Sequence, residues 1–246
     1  MTPADNVLPL RTGPAPGSST ATPTDAPNNP TTQSQPERIR GMIRRQIIRA
    51  ELRPGQIFTE PDLAREYGVS KTPVREALQM LTVEGLVNVL PRKGYMVRSL
   101  SFHDVREVMD LRLILEPPLA AAAARNVTAD LVTDLRTQIE NQFREGNTLE
   151  DRLAAARDFH VTCSQASRNT RAAAVDRSLT DEVMRFYHLM PTARDHFASA
   201  EEQAAHEAIF DAVATGNAEA AQELMHNHLL ESNAAMIRTF YNAGPL

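Results

Sequence analysis

From Glu37 onward, apolar residues recur at Ile39, Ile43 and Ile47 among arginines. That i, i+4, i+8 spacing predicts a helix with one apolar stripe. Pro54-Gly55 in "LRPGQIF" breaks it. Thr59 and Asp62 then have capping-box spacing, and Pro61 falls in a first turn, where a missing N–H costs nothing. Leu63 and Tyr67 face inward, and Gly68 ends this second helix. The next stretch, "GVSKTPVREALQML", predicts a third helix with Ser70 at the cap position and Pro73 in the first turn. At 100° per residue it gathers Val74, Ala77, Leu78 and Leu81 on one side. Thr72, Arg75, Glu76 and Gln79 project from the other. After Gly85, "LVNVL" and "YMVRS" read as two strands joined by the turn "PRKG". Three helices and a β-hairpin wing over residues 37–99 make a winged helix-turn-helix.

Residues 100–246 carry helical periodicity throughout. Ser101 and Asp104 have capping-box spacing, Pro117-Pro118 is expected to divide the first helical stretch, and Thr128 and Asn217 read as further N-caps. The expected architecture is an all-α bundle of six or seven helices, so the fold class is mainly α. Residues 1–36 hold half of the 16 prolines, many Thr, Ser and Asn, and few large apolar side chains. Such a segment buries too little surface to offset chain entropy and is expected to be disordered.

Charge separates the same three segments. Residues 1–36 carry a net −1, residues 37–99 a net +5 from 12 Arg and Lys against 7 Asp and Glu, and residues 100–246 a net −9. A basic segment beside an acidic one points to a polyanion-binding part joined to a part with another task. No apolar stretch approaches the roughly 20 residues of a membrane span. The N-terminus lacks the basic-then-apolar order of a signal peptide. One cysteine, Cys163, excludes an internal disulfide and fits a reducing compartment. A cytoplasmic protein is expected.

A helix fits the major groove of DNA, and its first turns lie closest to the base edges. Arg75 has the residue type and direction for a bidentate contact to guanine. Thr72 and Gln79 flank it as polar readers, while Ser70 and Lys71 would reach phosphates from the helix start. Arg92 and Lys93 at the hairpin tip suit the adjacent minor groove or backbone. Glu76, on the same face, would repel phosphate unless it accepts from a cytosine amine or pairs with an arginine.

"PGQIFTEPDLAREYGVSKTPVREALQMLTVEGLV" followed by "RKGYMV" resembles the DNA-binding domain of the GntR family of bacterial transcription regulators. Further on, "LRLILEPPLAAAAARN", "DFHVTCSQASRN" and "HEAIFDAVATGNAEAAQELMHNHL" resemble the helical effector-binding domain, FCD, of the FadR-type branch. The resemblance implies a homodimer that reads a two-fold-symmetric operator and changes its hold when a small organic acid binds. It places Lys71, Thr72, Arg75 and the wing around Gly94 on DNA-contacting positions. Lys71 stands where arginine is more usual, exchanging a bidentate fork for a point charge.

Members of this branch often hold a divalent metal through one aspartate and three histidines. His160, His206 and His228 match the histidine positions, but Ala156 occupies the aspartate position one turn before His160, and Asp158 projects from the opposite side of the helix. Helical spacing aims the three histidines inward. His206 shares a face with Ile209, Phe210 and Val213, His160 with Leu153, Ala156 and Cys163, and His228 follows Leu224 by one turn. Neutral imidazoles suit zinc or nickel; hydrogen-bonded core histidines are the competing reading. Water or the effector's own carboxylate would fill the vacant position. His103, His188, His196 and His226 have no motif behind them and read as surface. Arg112, in the "LR…LE" segment, falls where the branch commonly places an effector-binding arginine. Its alternative role is a salt bridge to Glu116 one turn along.

Three functional classes follow. The first is a ligand-responsive transcription regulator, most simply a repressor of small-carboxylate metabolism genes. The second is a metal-dependent hydrolase using the three histidines with an open coordination position. No motif places a general base for it. The third, a sequence-indifferent architectural protein, would bind every duplex equally at matched salt, against which the Arg75 face argues for sequence choice.

Overall fold

The computed structural model describes residues 33–190 and 199–243, with side chains described as far as residue 238. The described chain divides into two compact units, at Ser99 and Leu100.

In the first unit, α1 (Gln35–Ile48) begins inside the stretch expected to be tail. Ser34 caps it: its hydroxyl accepts from the Glu37 N–H, and its own N–H donates to Glu37 Oε2 at 2.8 Å. This capping box satisfies donors that have no partner within the helix. Residues 1–32 lie outside the described residues. Helix α2 (Glu60–Tyr67) starts at Thr59, whose hydroxyl accepts from Asp62 N–H, and ends on Gly68 at φ +64°. Helix α3 (Lys71–Val83) follows. Ser70 occupies its cap position with extended backbone, but the Ser70 side chain makes no capping hydrogen bond. Ile39, Ile43 and Ile47 of α1 pack with Leu63, Val74, Ala77, Leu78 and Leu81 in one buried cluster. Each large aliphatic side chain among them contributes about 1.5–3 kcal/mol relative to exposure. Arg40 and Arg44 of α1 clasp Glu84 just after α3, at 2.6 and 3.0 Å.

The wing strands β2 (Val87–Leu90) and β3 (Gly94–Val97) pair antiparallel, with Val87 opposite Val97 and Leu90 opposite Gly94. A strand that the periodicity does not reveal, β1 (Ile57–Phe58), pairs with the far edge of β3 and gives the order β1-β3-β2. Two residues are too few to display a period of two. The neighbour explains Gly94: at φ +108° a Cβ there would lie 2.4 Å from the Phe58 carbonyl oxygen.

The second unit contains α4 (Phe102–Arg125), α5 (Ala129–Phe143), α6 (Leu149–Ala166), α7 (Thr170–Leu189), α8 (Ala200–Ala214) and α9 (Ala218–Ala243). Among the described residues these are the six helices of the expected bundle. Ser101 and Asp104 close a capping box on α4, Thr128 accepts from Leu131 N–H, and Asn217 accepts from Ala220 N–H. Pro117-Pro118 does not divide the first helix, which runs through both prolines. An interior proline costs about 3 kcal/mol through a missing hydrogen bond and a ring clash. Tertiary packing overrides that cost here. Helix α4 lies against α6, α7, α8 and α9, and Pro117, Leu119, Ala120, Ala121, Ala123 and Ala124 are all buried. Among the described residues no helix is long and apolar enough to cross a membrane.

Candidate functional site

The two units each present one concentration of chemistry. On the first, the apolar face of α3 is buried, so Lys71, Thr72, Arg75, Glu76 and Gln79 are all exposed on the outer face, with Ser70 at its start. Arg92 and Lys93 are exposed at the wing tip beside Gly94. Arg92 sits at φ +65°, the left-handed conformation a tight turn requires. Arg75 is held by a residue that no sequence pattern pointed to. Its Nε donates to both oxygens of Glu60, at 3.0 and 3.1 Å, and its Nη2 donates to Oε2 at 2.9 Å. Tyr95 of the wing donates to Glu60 Oε1 at 3.4 Å. Hydrogen bonds from Arg75 keep the Glu60 carboxyl below its ordinary range. The guanidinium is therefore braced through Glu60 of α2, which Tyr95 of β3 holds in turn.

On the second unit, His160 of α6, His206 of α8 and His228 of α9 converge, all three buried. Their candidate ligand atoms lie within 4.8 Å of one another. His160 Nε2 and His228 Nε2 stand 3.3 Å apart. Glu116 of α4 receives a 2.6 Å hydrogen bond from His160 Nδ1, and Gln142 of α5 lies 2.8 Å from His206 Nδ1. A carboxylate oxygen and an amide oxygen accept, so both imidazoles donate from Nδ1. In their neutral forms this leaves the Nε2 lone pairs for the interior of the cluster. Phe159 stacks on the His206 ring with centroids 4.4 Å apart. Carboxylate–imidazole pairs of this kind orient metal ligands and raise their basicity. In a tetrahedral zinc site, bonds of about 2.0–2.1 Å put ligand atoms about 3.3–3.4 Å apart. The donor set and the His160–His228 separation fit such an ion.

Ala156 lies one turn before His160 and presents only a methyl group to this region. Asp158 is half exposed and bonded to Arg157 at 2.5 Å, away from the histidines as its helical position requires. Arg112 is 4% exposed and ion-paired to Glu116. It lines a small cavity together with Ala156, His160, Tyr187, Glu202 and His228. The open space there is about 10 Å³, room for about one water molecule. The salt bridge to Glu116 expected as the alternative role of Arg112 is present, and the buried Glu116 also joins Arg112 to His160. Burial alone would raise the Glu116 carboxyl; Arg112 and His160 outweigh it and hold it down to about 2.

Three further polar residues of the site were not singled out in the sequence: Gln142, Asp176 and Glu202. Burial pushes Glu202 up to about 8. Asp176 of α7, which accepts from Ser164 Oγ at 2.5 Å, is pushed up to about 8 by burial and by the charge of Glu116. A carboxyl raised from its ordinary value of about 3.9 binds a proton in the folded state that the unfolded chain releases. Stability therefore falls as pH rises from about 4 to the folded value of about 8 and is level above it. Asp176→Asn retains the neutral shape and removes that fall. Its melting temperature is expected to gain on the parent's progressively between pH 5 and 8, and parallel curves would contradict this. Of the remaining histidines, His103 and His226 are exposed as expected. His188 is not on the surface: its side chain is 12% exposed and lies 3.4 Å from Glu150. His196 lies outside the described residues.

An exposed arginine-bearing helix with a basic wing, joined to a helical bundle with a buried polar centre, defines a DNA-binding regulator of the winged-helix class. Comparison with known proteins gives the same answer. Residues 35–97 match the bacterial regulatory proteins of the gntR family, and residues 107–231 match the FCD domain. A transcriptional regulator of the helix-turn-helix type from an unstable DNA locus of Streptomyces ambofaciens is 30% identical over 187 residues, 76% of this chain and 78% of the relative. The transcriptional repressor RspR of Escherichia coli is 28% identical over 216 residues, 82% and 89% of the two chains. A GntR regulator of Rhodococcus sp. RHA1 superimposes with a TM-score of 0.71 at 26% identity, over 85% of this chain and all of that one. The chain belongs to the GntR family of transcription regulators and carries an FCD domain. The family and these relatives are regulators and not enzymes, which removes the hydrolase reading.

Proposed function

We propose that the protein is a cytoplasmic, homodimeric repressor that reads a two-fold-symmetric operator and is released from it by a small carboxylate. The observation that carries the effector half is the placement of a buried guanidinium, Arg112, on the same cavity as His160 and His228. Guanidinium and imidazole together select an anion, and the planar fork of arginine matches a carboxylate. His160, His206 and His228 would hold a divalent ion, zinc or nickel, which when bound supplies fixed positive charge beside that fork.

A cavity of about 10 Å³ admits no organic acid as it stands. Val183, Met184 and Tyr187 of α7 line it and must shift to make room. Effector binding thus favours a rearranged bundle, and DNA favours the other state. By reciprocity each ligand weakens the other to the same degree. Repression is supported by RspR, a repressor that matches over most of both chains.

For DNA, Ser70, Lys71 and the wing residues Arg92 and Lys93 engage phosphate, while Thr72, Arg75 and Gln79 face base edges and Gly94 lets the wing turn tightly. Arg92→Ala with Lys93→Ala should flatten the dependence of affinity on salt, by about 0.9 in log–log slope for each phosphate left without its cation. The weakening is expected on operator and random DNA alike, and an unchanged slope would take the wing out of the interface.

The effector half is tested by a melting screen of small mono-, di- and hydroxy-carboxylates in the presence of zinc or nickel. A ligand that binds only the folded state at 100 times its Kd stabilises by about 2.7 kcal/mol. One chemical class is expected to raise the melting temperature and to release operator DNA, with both effects abolished in Arg112→Met. A screen with no stabilising acid contradicts the reading.

A further inference from the structure

We propose that Glu202 supplies the carboxylate that Ala156 lacks, so that the metal-binding set is rebuilt from α8 rather than α6. The inference rests on the metal reading above and names the fourth protein ligand.

Glu202 and His206 are four residues apart on α8 and therefore share one face of the helix. Ser199 fixes where that helix starts by accepting from the Glu202 N–H at 3.1 Å. In α1, α4 and α6 an acid at this same third position, Glu37, Asp104 or Asp151, folds back to close a capping box. The Glu202 carboxylate lies against the histidines. Its Oε1 is 3.5 Å from His206 Nε2 and its Oε2 is 3.8 Å from His228 Nδ1.

The first of these distances is close to the spacing of two ligands on one tetrahedral ion, about 3.3–3.4 Å. It also resembles the 3.3 Å between His160 Nε2 and His228 Nε2. The three imidazoles lie within 4.8 Å of one another, and the Glu202 carboxylate borders two of them, those of His206 and His228. The second oxygen sits on the side of His228 Nδ1, where a small closure would let it take that ring's hydrogen bond and leave Nε2 as the ligand atom. Glu202 is 4% exposed and borders the same cavity as Ala156. A carboxylate from α8 therefore lines the same cavity that an aspartate at position 156 would face.

The test is zinc affinity of the full chain, by competition with a chromophoric chelator, alongside melting with and without zinc. The parent is expected to bind one zinc per chain and to melt higher with it. Glu202→Gln, close in shape, should weaken zinc by about 10–100-fold or more, since even residues behind the ligands have effects of that size. Adding Ala156→Asp to Glu202→Gln should restore most of the affinity, because the carboxylate returns from the other helix. Melting in chelator checks that the variants fold; should Glu202→Gln not fold, Glu202→Asp, one methylene shorter, is expected to show the same weakening. A Glu202 variant that binds zinc within twofold of the parent overturns the proposal and leaves the three-histidine reading standing. Weakening without rescue by Ala156→Asp reduces Glu202 to a positioning residue and overturns it as a ligand. A parent that binds no zinc, with unchanged melting, overturns the metal reading itself and this inference with it.

Discussion

Replacing Arg75 with alanine is expected to lower affinity for the operator by about tenfold or more while leaving binding to random duplex nearly unchanged. The expectation comes from position and chemistry together. Burial of Val74, Ala77, Leu78 and Leu81 fixes the roll of α3, and Arg75 follows on the outer face near the helix start. A guanidinium there can give two parallel hydrogen bonds to one guanine, a contact a mismatched base cannot return. Glu60 holds the same two-pronged donor face in the free protein, so the fork is already formed before DNA arrives. On the proposed base contact, binding would exchange the Glu60 carboxylate for the guanine edge. Arg75→Lys should recover little, because a point charge cannot span both acceptors. Equal weakening on operator and random DNA would assign Arg75 to phosphate instead of base contact.

The largest drop in stability is expected from Glu116→Ala. This carboxylate is buried between Arg112 and His160, and its removal strands a buried guanidinium. Breaking a buried ion pair from one side costs about 3–5 kcal/mol. For a unit of this size that lowers the melting temperature by on the order of 10 °C. Arg112→Met combined with Glu116→Leu should recover much of the stability, since an apolar pair of similar volume needs no counter-charge. Thermal melting followed by helical circular dichroism decides the matter. A Glu116→Ala protein that melts with the parent would mean that Arg112 finds another anion within the bundle.

The parts of the fold that were legible in the sequence depend on local rules. The isoleucine stripe of α1, the cap residues Thr59, Ser101, Thr128 and Asn217, and Gly68 each act within one or two turns of the chain. The parts that were not legible depend on contacts between distant segments. Helix α4 continues through Pro117-Pro118 because four other helices pack against it, a condition no local pattern records. Strand β1 exists because β3 lies beside it.

The site divides in the same way. Inward spacing aimed His160, His206 and His228 correctly, and Asp158 away from them. Glu60, fifteen residues before Arg75, and Asp176 became visible only with the tertiary structure. Glu202 left one signal, an acid one turn before an inward histidine, but surface acids with that spacing are common. His188 read as surface because its neighbour Glu150 lies on another helix.

On the proposed function, the α3 face and the wing select one DNA sequence over others. The most direct measurement is the affinity of the full chain for DNA from its own promoter region against a scrambled duplex of the same length and composition, at matched salt. Promoter DNA is expected to bind at least about a thousandfold more tightly, the lower end for specific regulators. Equal affinity for the two duplexes would contradict the account.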